Sequence, residues 1–132
     1  MQTIQAIGKR KTSVARATIK KGTGVIRVNS LKVEALQPEM FRQIIMEPII
    51  LAGDKASNVN INVNVFGGGV MSQAQAVRTS IANALVDFLK DKELKDKYLD
   101  YDRHMLVADV RQKEMRKPYR SRARARRQKS KR

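Results

Sequence analysis

The residues best suited to hold an anion are the glycines Gly67, Gly68 and Gly69, which end one predicted strand and open directly onto a predicted helix. Glycines let backbone N–H groups approach a phosphate closely, and the N-terminus of a helix adds partial positive charge. The same arrangement occurs in nucleotide-binding enzymes, but here it lacks the Lys-Ser/Thr ending of a P-loop. An RNA backbone is the most economical ligand, with a nucleotide or a plain tight turn as the alternatives.

A second candidate binding region is the C-terminal segment, residues 111–132, in which twelve Lys or Arg residues accompany one acid, Glu114. The chain has a net charge of +16, of which this segment carries +11 and residues 1–110 carry +5. Every second residue from Arg120 to Arg126 is an arginine, so an extended chain would project four guanidinium groups along one edge, ~6.6 Å apart. Planar, bidentate donors in a row suit phosphates. We therefore predict nucleic-acid binding, with a solubilising or localisation tail as the alternative.

The sequence contains few of the residue types that usually carry out catalysis. The chain has no cysteine and one histidine, His104, and so shows no sign of a catalytic triad or of a Cys/His metal cluster. We interpret His104 as a structural residue or an RNA contact. The sequence therefore predicts no catalytic residue, no metal site and no cofactor, and a protein that is not an enzyme.

The length of 132 residues accommodates one domain of about 110 residues and a tail. We predict a globular α+β body over residues 1–110, and a basic tail over residues 111–132 that is disordered until it binds a polyanion. No apolar run is long enough for a signal peptide or a membrane span. We expect a cytoplasmic protein with an anionic partner, and no membrane partner, because the tail lacks the apolar anchors of an amphipathic helix.

The N-terminal part predicts three strands. Polar and apolar residues alternate over residues 3–7 and 13–20, and a third strand is predicted over residues 25–29. A basic turn at residues 8–11 and a glycine-containing turn at residues 21–24 join them, which predicts an antiparallel meander. The residues expected to face the core are Ala15, Ala17, Ile19, Ile26 and Val28.

A helix is predicted from Pro38, because proline fits the first helical position. Pro48 is expected to kink or interrupt this helix, and Gly53 to end it. A strand follows from Val59 to Val65, in which Val and Ile residues alternate with three asparagines. This pattern buries one face and leaves a row of amides, which is either solvated or in contact with RNA or a neighbouring protein.

The central helix is predicted over residues 72–89, with Ser72 and Gln75 forming a capping box at its start. A third, charge-rich helix is predicted over residues 91–102 and a connector over residues 103–110. The expected core contacts of these last two segments are Leu94, Tyr98, Leu99, Leu106 and Val107. The predicted fold class is α+β, a two-layer domain with helices on one face of the sheet, plus an extended basic C-terminal tail.

Three motifs resemble those of one known family, the small-subunit ribosomal protein nine family. The family's opening signature is similar to the run Gly8-Lys9-Arg10-Lys11-Thr12-Ser13-Val14-Ala15-Arg16. Its central signature is similar to Gly67-Gly68-Gly69 with Gln73, Ala76 and Arg78, and its C-terminus to Asp109-Val110-Arg111 with the final Ser130-Lys131-Arg132. The resemblance covers essentially the whole chain, with the motifs in the expected order.

The resemblance implies a fold of the ribosomal-protein-five second-domain type, with a four-stranded sheet, two main helices and a left-handed βαβ crossover, where general rules favour a right-handed one. It also implies a place in the head of the small subunit, held by rRNA and beside neighbouring head proteins, with the tail reaching toward P-site tRNA. Two departures stand out. Asn83 occupies a position where the family usually carries Lys or Arg, and the tail without glycine resembles the archaeal and eukaryotic pattern, which indicates an archaeal source.

The binding residues predicted from the charge pattern and the resemblance fall into two sets. Those predicted to bind rRNA are Lys9, Arg10, Lys11, Arg16, Gly67, Gly68, Gly69, Arg78, Arg111, Arg116, Lys117, Arg120, Arg122, Arg124, Arg126 and Arg127. Those predicted to bind tRNA are Lys129, Lys131 and Arg132. Two other functions remain as alternatives: a chromatin-like DNA-binding protein that uses the tail, and a small phosphotransferase that uses the three glycines.

Overall fold

Within residues 2–127, the part of the chain that the computed structural model describes, a five-stranded sheet is combined with three α-helices. The strands are β1 (Thr3–Arg10), β2 (Ser13–Lys21), β3 (Ile26–Val28), β4 (Leu31–Lys32) and β5 (Val59–Phe66). The helices are α1 (Glu39–Ala52), α2 (Val70–Leu89) and α3 (Lys92–Tyr101). The prediction of an α+β fold is confirmed. The sheet has five strands rather than the four expected, because the two-residue strand β4 pairs antiparallel with β3.

The strands do not follow one another in the sheet as they do in the chain; their order is β1-β2-β5-β3-β4. β2 pairs antiparallel with β5, from Val14 opposite Phe66 to Lys21 opposite Val59, and β3 runs parallel to the other side of β5. The predicted antiparallel meander is therefore confirmed for β1 and β2, which pair antiparallel, and wrong for the third strand, which lies beyond β5. β5 offers eight residues to β2, whereas β3 has only three, so pairing with β5 buries more of β2.

A side chain of β5 guides the chain across the sheet after β2. Asn60 Oδ1 accepts hydrogen bonds from the backbone N–H of Thr23 at 2.9 Å and of Val25 at 3.0 Å. The backbone N–H of Ile61 donates to Val25 O at 3.0 Å. Asn60, expected to belong to a row of solvated or ligand-binding amides, therefore holds the loop that places β3 beyond β5.

The first strand is longer than predicted and absorbs most of the expected basic turn. β1 continues to Arg10, and the chain reverses at Lys11 and Thr12, where Lys11 has a φ of 52°. Gly8 lies within β1 and its Cα faces α2. A Cβ on Gly8 would overlap the carbonyl oxygen of Ala76, so this glycine permits the close packing of α2 on β1.

All three α-helices lie on one face of the sheet, with the hydrophobic core between the helices and the strands. The central helix is α2, as predicted. This helix packs against β1, β2 and β5 and against α1. The alternating residues of β2 and β5 point toward it as expected, and they are buried as a set: Ala15, Ala17, Ile19, Val59, Ile61, Val63 and Val65. Of the inward residues predicted for the third strand, Val28 is buried and Ile26 is half-buried.

The predicted capping box at the start of α2 is wrong. The helix begins at Val70, and its N-cap is Gly69, which has no side-chain cap. Gln73 Nε2 instead donates to Gly67 O at 3.1 Å, and Gln75 Oε1 accepts from Arg10 Nε at 2.8 Å. The helix therefore starts directly from the glycines, and its first glutamines bind the loop and β1.

The helix α1 runs through Pro48 and ends at Gly53, whose φ is 60°. Pro38 is its N-cap rather than its first residue. The buried Tyr98 of α3 donates its hydroxyl to Pro48 O at 2.6 Å, and burial raises the pKa of this hydroxyl. α3 thus packs against α1 through a hydrogen bond to the carbonyl of the proline.

The connector after α3 reaches the core through a residue that the sequence did not single out. Met105, in a short 3-10 turn over residues 103–105, is fully buried. Of the contacts predicted for these segments, Leu94 is buried and Leu106 is half-buried, whereas the predictions for Leu99 and Val107 are wrong because both are exposed. None of the helices in residues 2–127 is long and apolar enough to cross a lipid bilayer.

Candidate nucleic-acid interface

Three segments of the predicted binding set meet at one end of the molecule. They are the β1–β2 reversal, the glycine loop and the start of the tail, and we call them together the basic end: residues 9–12, 67–69 and 111–113. Ser13 Oγ donates to Gly67 O at 2.8 Å and joins the first two segments. A shallow depression between the glycine loop and the reversal is also lined by Gln112 and Lys113 of the tail.

The first two glycines of the loop are required by the fold itself. Gly67 and Gly68 have φ values of 78° and 66°, a region that residues with a Cβ rarely adopt. A Cβ on Gly67 would overlap Thr12 O, and one on Gly68 would overlap Ser13 Oγ. The tight-turn interpretation therefore accounts for both residues, which let the loop press against the β1–β2 reversal.

The third glycine differs from the other two. Gly69 has a φ of −95°, and a Cβ built on it would meet no atom of the described residues within 4 Å. Gly69 is also exposed and stands at the N-terminus of α2, a helix of 20 residues. If the loop backbone approaches a phosphate, Gly69 is the residue whose missing side chain matters for that approach.

The start of the tail is held against β1 by Asp109. Its Oδ2 lies 2.6 Å from Arg10 Nη1, and the two residues form an isolated parallel β-bridge. Its Oδ1 accepts from the backbone N–H of Arg111 at 3.0 Å. The hydrogen bonds from Arg111, assisted by the charge of Arg10, hold the pKa of Asp109 well below its usual range. The tail therefore leaves the body at a fixed point beside the glycine loop.

Two of the arginines predicted to bind rRNA are largely used inside the protein. The Arg10 side chain is 15% exposed and contacts Asp109 and Gln75. The Arg78 side chain is 12% exposed; its Nε lies 2.6 Å from Glu47 and its Nη1 2.9 Å from Asp102. Both residues support the fold at the basic end or beside it, and a contact with rRNA stays a prediction for each.

The ion pairs of Arg78 also order the connector. Burial raises the pKa of Asp102, but hydrogen bonds from the backbone N–H of His104 and from Arg78 outweigh it, so the pKa is lowered overall. Thr79 Oγ1 donates to His104 O at 3.3 Å, and Asn83 Nδ2 donates to Leu106 O at 3.2 Å. Asn83, the departure from the family pattern, therefore binds the connector through its amide.

The cavity nearest these ion pairs gives little room for a nucleotide. It has a volume of about 180 Å³ and is lined by Arg10, Arg78, Asp102 and Asp109, whose charges are already paired. Pockets that bind small molecules usually measure about 300–1,000 Å³. Among the described residues, no group of three His, Cys, Asp or Glu side chains is arranged to hold a metal ion.

Other residues predicted to bind rRNA have exposed side chains. Lys9, Lys11, Arg16 and Arg111 are exposed. The predicted tail residues are also exposed, apart from the half-buried Arg120: Arg116, Lys117, Arg122, Arg124, Arg126 and Arg127. The structure therefore separates the predicted basic residues into a largely buried, paired group, Arg10 and Arg78, and an accessible group with exposed side chains, in which Arg111 also pairs with Asp109 and Arg124 with Glu114.

The tail between Arg120 and Arg126 does not form the single extended edge that the alternation predicts. A turn is closed by the hydrogen bond from Ala125 N to Arg122 O at 3.2 Å. Arg124 Nε donates to Glu114 at 2.9 Å, and the Arg127 guanidinium lies 5.3 Å from the centre of the Tyr119 ring. Turns thus bring these arginines to partners within the tail. Lys129, Lys131 and Arg132 lie outside the described residues.

Sequence reasoning missed the carboxylates that pair with these arginines. Asp109 belongs to the C-terminal motif, and Glu47 belongs to none of the three motifs. Because each carboxylate lies far along the chain from its arginine, no local pattern indicates the pairing. The closest signal is the isolated acid of Asp109-Val110-Arg111, which precedes a segment containing a single acid.

Comparison with known proteins agrees with the arrangement of the three motifs. A sequence model of the family described as ribosomal protein S9/S16 matches residues 8–132. The small ribosomal subunit protein uS9 of Methanococcus maripaludis strain C7 is 46% identical over 132 residues, which cover 98% of each chain. The proteins of the same name from strains S2 and C5 are each 45% identical with the same coverage. The chain therefore belongs to the ribosomal protein S9/S16 family.

Proposed function

We propose that this chain is a structural component of the small ribosomal subunit that binds rRNA through the basic end and the tail. The observation that carries the proposal is the convergence of the three family motifs at the basic end, where Lys9, Lys11 and Arg111 are exposed around the open backbone at Gly69. Lysine and arginine beside a helix N-terminus form a site for a phosphate backbone.

Membership of the family confirms two predictions made from the sequence. The family is one of structural ribosomal proteins, so the chain is not an enzyme, and it resides in the ribosome. The phosphotransferase alternative loses its basis for the same reason.

The division of the basic residues refines the proposed rRNA contacts. The accessible group of the basic end and the tail binds phosphates directly. Arg10 and Arg78 act mainly by holding the tail and the helices in place, because their guanidiniums are both paired with carboxylates and largely buried, whereas the paired Arg111 is exposed. Neighbouring proteins of the subunit head are proposed as further partners on the strength of the family resemblance.

We extend the proposal to P-site tRNA for the end of the tail. The resemblance assigns Lys129, Lys131 and Arg132 to this contact, and the support from the chain is its reach. The 22 residues from Arg111 span about 70 Å when fully drawn out. Since Asp109 fixes the point where the tail departs, that reach is measured from the basic end.

The resemblance also supports a finer description of the fold. β3 and β5 are adjacent and parallel, and the chain between them contains β4 and α1. We propose that this connection is the left-handed βαβ crossover of the ribosomal-protein-five second-domain type. An experimental structure that shows a right-handed connection would refute this part of the proposal.

The function is tested by competition between nucleic acids for the full-length protein. A labelled transcript of the head region of small-subunit rRNA is bound first, and unlabelled transcript or duplex DNA of equal nucleotide content is then added. We expect the transcript to compete far better than DNA at physiological salt, because folded RNA presents the shape that the basic end recognises. Equal competition by DNA would instead support the chromatin-like alternative.

A further inference from the structure

The sheet has a second face, turned away from the helices, of which the basic end includes only Lys9. Strand register places side chains of β1, β2 and β5 next to one another across it: Lys9 is opposite Val14 and Val14 opposite Phe66, and one row further Ile7 is opposite Arg16 and Arg16 opposite Asn64. We call this surface the outer face and define it by Ile7, Lys9, Arg16, Asn62, Asn64 and Phe66. All six side chains are exposed.

The charge on the outer face has one sign. None of the five strands contains Asp or Glu, and the first acid of the chain is Glu34. Ten of the twelve acids lie among the helices and their connections, five of them from Asp91 to Asp102, and the other two, Asp109 and Glu114, follow the last helix. A face that is merely solvated usually mixes both signs and uses opposite charges in cross-strand pairs. The outer face therefore complements a polyanion.

The outer face also exposes a large aromatic ring among polar groups. Phe66 is 58% exposed, although it is the last residue of a strand whose other face is buried. Asn64 lies two residues earlier on the same strand, so its amide is on the same side as the ring. An aromatic ring can stack on any base, and an amide can both donate to and accept from a base edge.

A protein partner fits the outer face less well than RNA. Its two exposed large apolar side chains, Ile7 and Phe66, lie on different strands; on β2 between them, the half-buried Val14 is opposite Phe66 and Arg16 is opposite Ile7. Protein interfaces are usually centred on a contiguous cluster of large apolar and aromatic side chains, and Lys9 and Arg16, which flank Val14, interrupt such a cluster here. Phosphates can reach Lys9 and Arg16 while the ring takes a base.

We propose that the outer face binds a single-stranded segment of RNA, with a base stacked on Phe66 and phosphates held by Lys9 and Arg16. The inference rests on the proposed rRNA-binding function and extends it from the basic end onto the sheet. Phe66 is directly followed by Gly67, so an RNA strand that contacts the glycine loop can continue over the ring without a gap.

Stacking is tested with two probes and a matched pair of variants in the full-length chain. The probes are a twelve-nucleotide oligouridylate and an abasic strand with the same phosphates. The variants are Phe66→Ala and, as control, Tyr101→Ala, because Tyr101 on the acidic helical side is 56% exposed. We expect Phe66→Ala to weaken oligouridylate binding roughly five- to 150-fold, the range for one stacked base, and to leave abasic binding unchanged. Tyr119 is present in both variants, so any stacking in the tail cancels.

The phosphate contacts are tested with a second matched pair, Arg16→Gln and Lys95→Gln, which remove one positive charge from the outer face and from α3. We expect only Arg16→Gln to reduce binding of either probe. If each outer-face variant binds the probes as tightly as its control variant does, while the wild-type protein binds rRNA, the outer-face proposal is wrong and the proposed function stands. If the wild-type protein binds neither rRNA nor the oligouridylate, the proposed function itself fails. An effect of Phe66→Ala that appears only when other subunit proteins are present would mean a protein partner and would also overturn the proposal.

Discussion

Arg10 Nη1 lies 2.6 Å from Asp109 Oδ2, which joins the last residue of the first strand to a residue two positions before the start of the tail. The Arg111 side chain donates to the same carboxylate from Nε–H, which is shared between Oδ1 and Oδ2, and from Nη2, and the Arg111 backbone N–H donates to Oδ1. Asp109 thus pairs with two arginines of the basic end, Arg10 and Arg111, and fixes the position at which the tail leaves the body.

Asp109→Asn should make the protein less stable at neutral pH, and the difference should depend on pH. Hydrogen bonds from Arg111 and the charge of Arg10 lower the pKa of Asp109 in the folded protein. A lowered pKa contributes stability above the unfolded value of about 3.9, and this contribution is lost as the pH falls from there toward the folded pKa. Thermal unfolding of both proteins from pH 7 to pH 3 should therefore show a difference in unfolding temperature between wild type and Asp109→Asn that becomes smaller below about pH 4.

A control for this measurement is Glu114→Gln, which removes the exposed acid of the tail that binds Arg124. Because both partners are largely exposed, we expect little change in stability at any pH. A gap between the wild-type protein and Asp109→Asn that stays constant over the whole range would contradict the role given to the charge of Asp109.

Arg78→Gln separates a structural role from an RNA contact. The change leaves Glu47 and Asp102 without their shared partner, and we expect a loss of about 1–3 kcal/mol of unfolding free energy, reduced from the value for fully buried pairs because both carboxylates are partly exposed. Arg103→Gln, which removes an exposed charge nearby, should have little effect on stability. Denaturant unfolding and rRNA titration are measured together. Reduced affinity for rRNA with unchanged stability would mean that Arg78 contacts rRNA and does not act mainly by supporting the fold.

The outcome for Arg10 and Arg78 shows where prediction from sequence succeeds and where it stops. Alternation along β2 and β5 depends on neighbouring residues, so the buried set around Ala15 and Ile61 followed directly from the pattern. Strand order depends on the hydrogen bonds between Asn60 of β5 and the loop that follows β2. The ion pairs depend on carboxylates that lie far along the chain from their arginines. The charge of the sequence correctly predicted that the protein has a basic surface. It did not distinguish the arginines that face solvent from those that are buried in ion pairs and support the fold.

The glycine loop can be divided experimentally into its fold-determining and ligand-facing parts. Gly68→Ala should destabilise the protein by more than about 1 kcal/mol, because a left-handed residue with a Cβ costs about 1–2 kcal/mol and the Cβ also overlaps Ser13 Oγ. Gly69→Thr should change stability by less than about 0.5 kcal/mol, since threonine is an acceptable N-cap and its side chain enters open space. We expect Gly69→Thr nevertheless to weaken rRNA binding, because the side chain blocks close approach to the backbone. Unchanged affinity would mean that the loop is only a tight turn.

The tail arginines should govern the salt dependence of rRNA binding. Replacing four of them by glutamine removes about four phosphate contacts and should reduce the log–log slope of affinity against salt by about 3 if each contact is single-stranded in character. The four positions are Arg120, Arg122, Arg124 and Arg126. The control replaces four exposed charges near or on α3: Lys90, Lys92, Lys95 and Arg103. An equal change of slope in both variants would mean that total charge, not the tail, determines binding.

The last two residues offer a test of the proposed tRNA contact. In the variant Lys131→Gln with Arg132→Gln, two positive charges are lost at the end of the tail and the chain keeps its length. If the tail only tethers the body to rRNA, these residues add a small increment to a diffuse charge, and the control Lys113→Gln with Lys117→Gln should have the same effect. If they contact tRNA phosphates, the loss is at most about 1.5–3 kcal/mol for each contact, and less where water screens the charges. We expect both variants to assemble into subunits, checked by sedimentation, and only the terminal variant to release P-site tRNA faster from purified subunits at physiological salt. Equal release rates would reduce the end of the tail to a general contribution of positive charge.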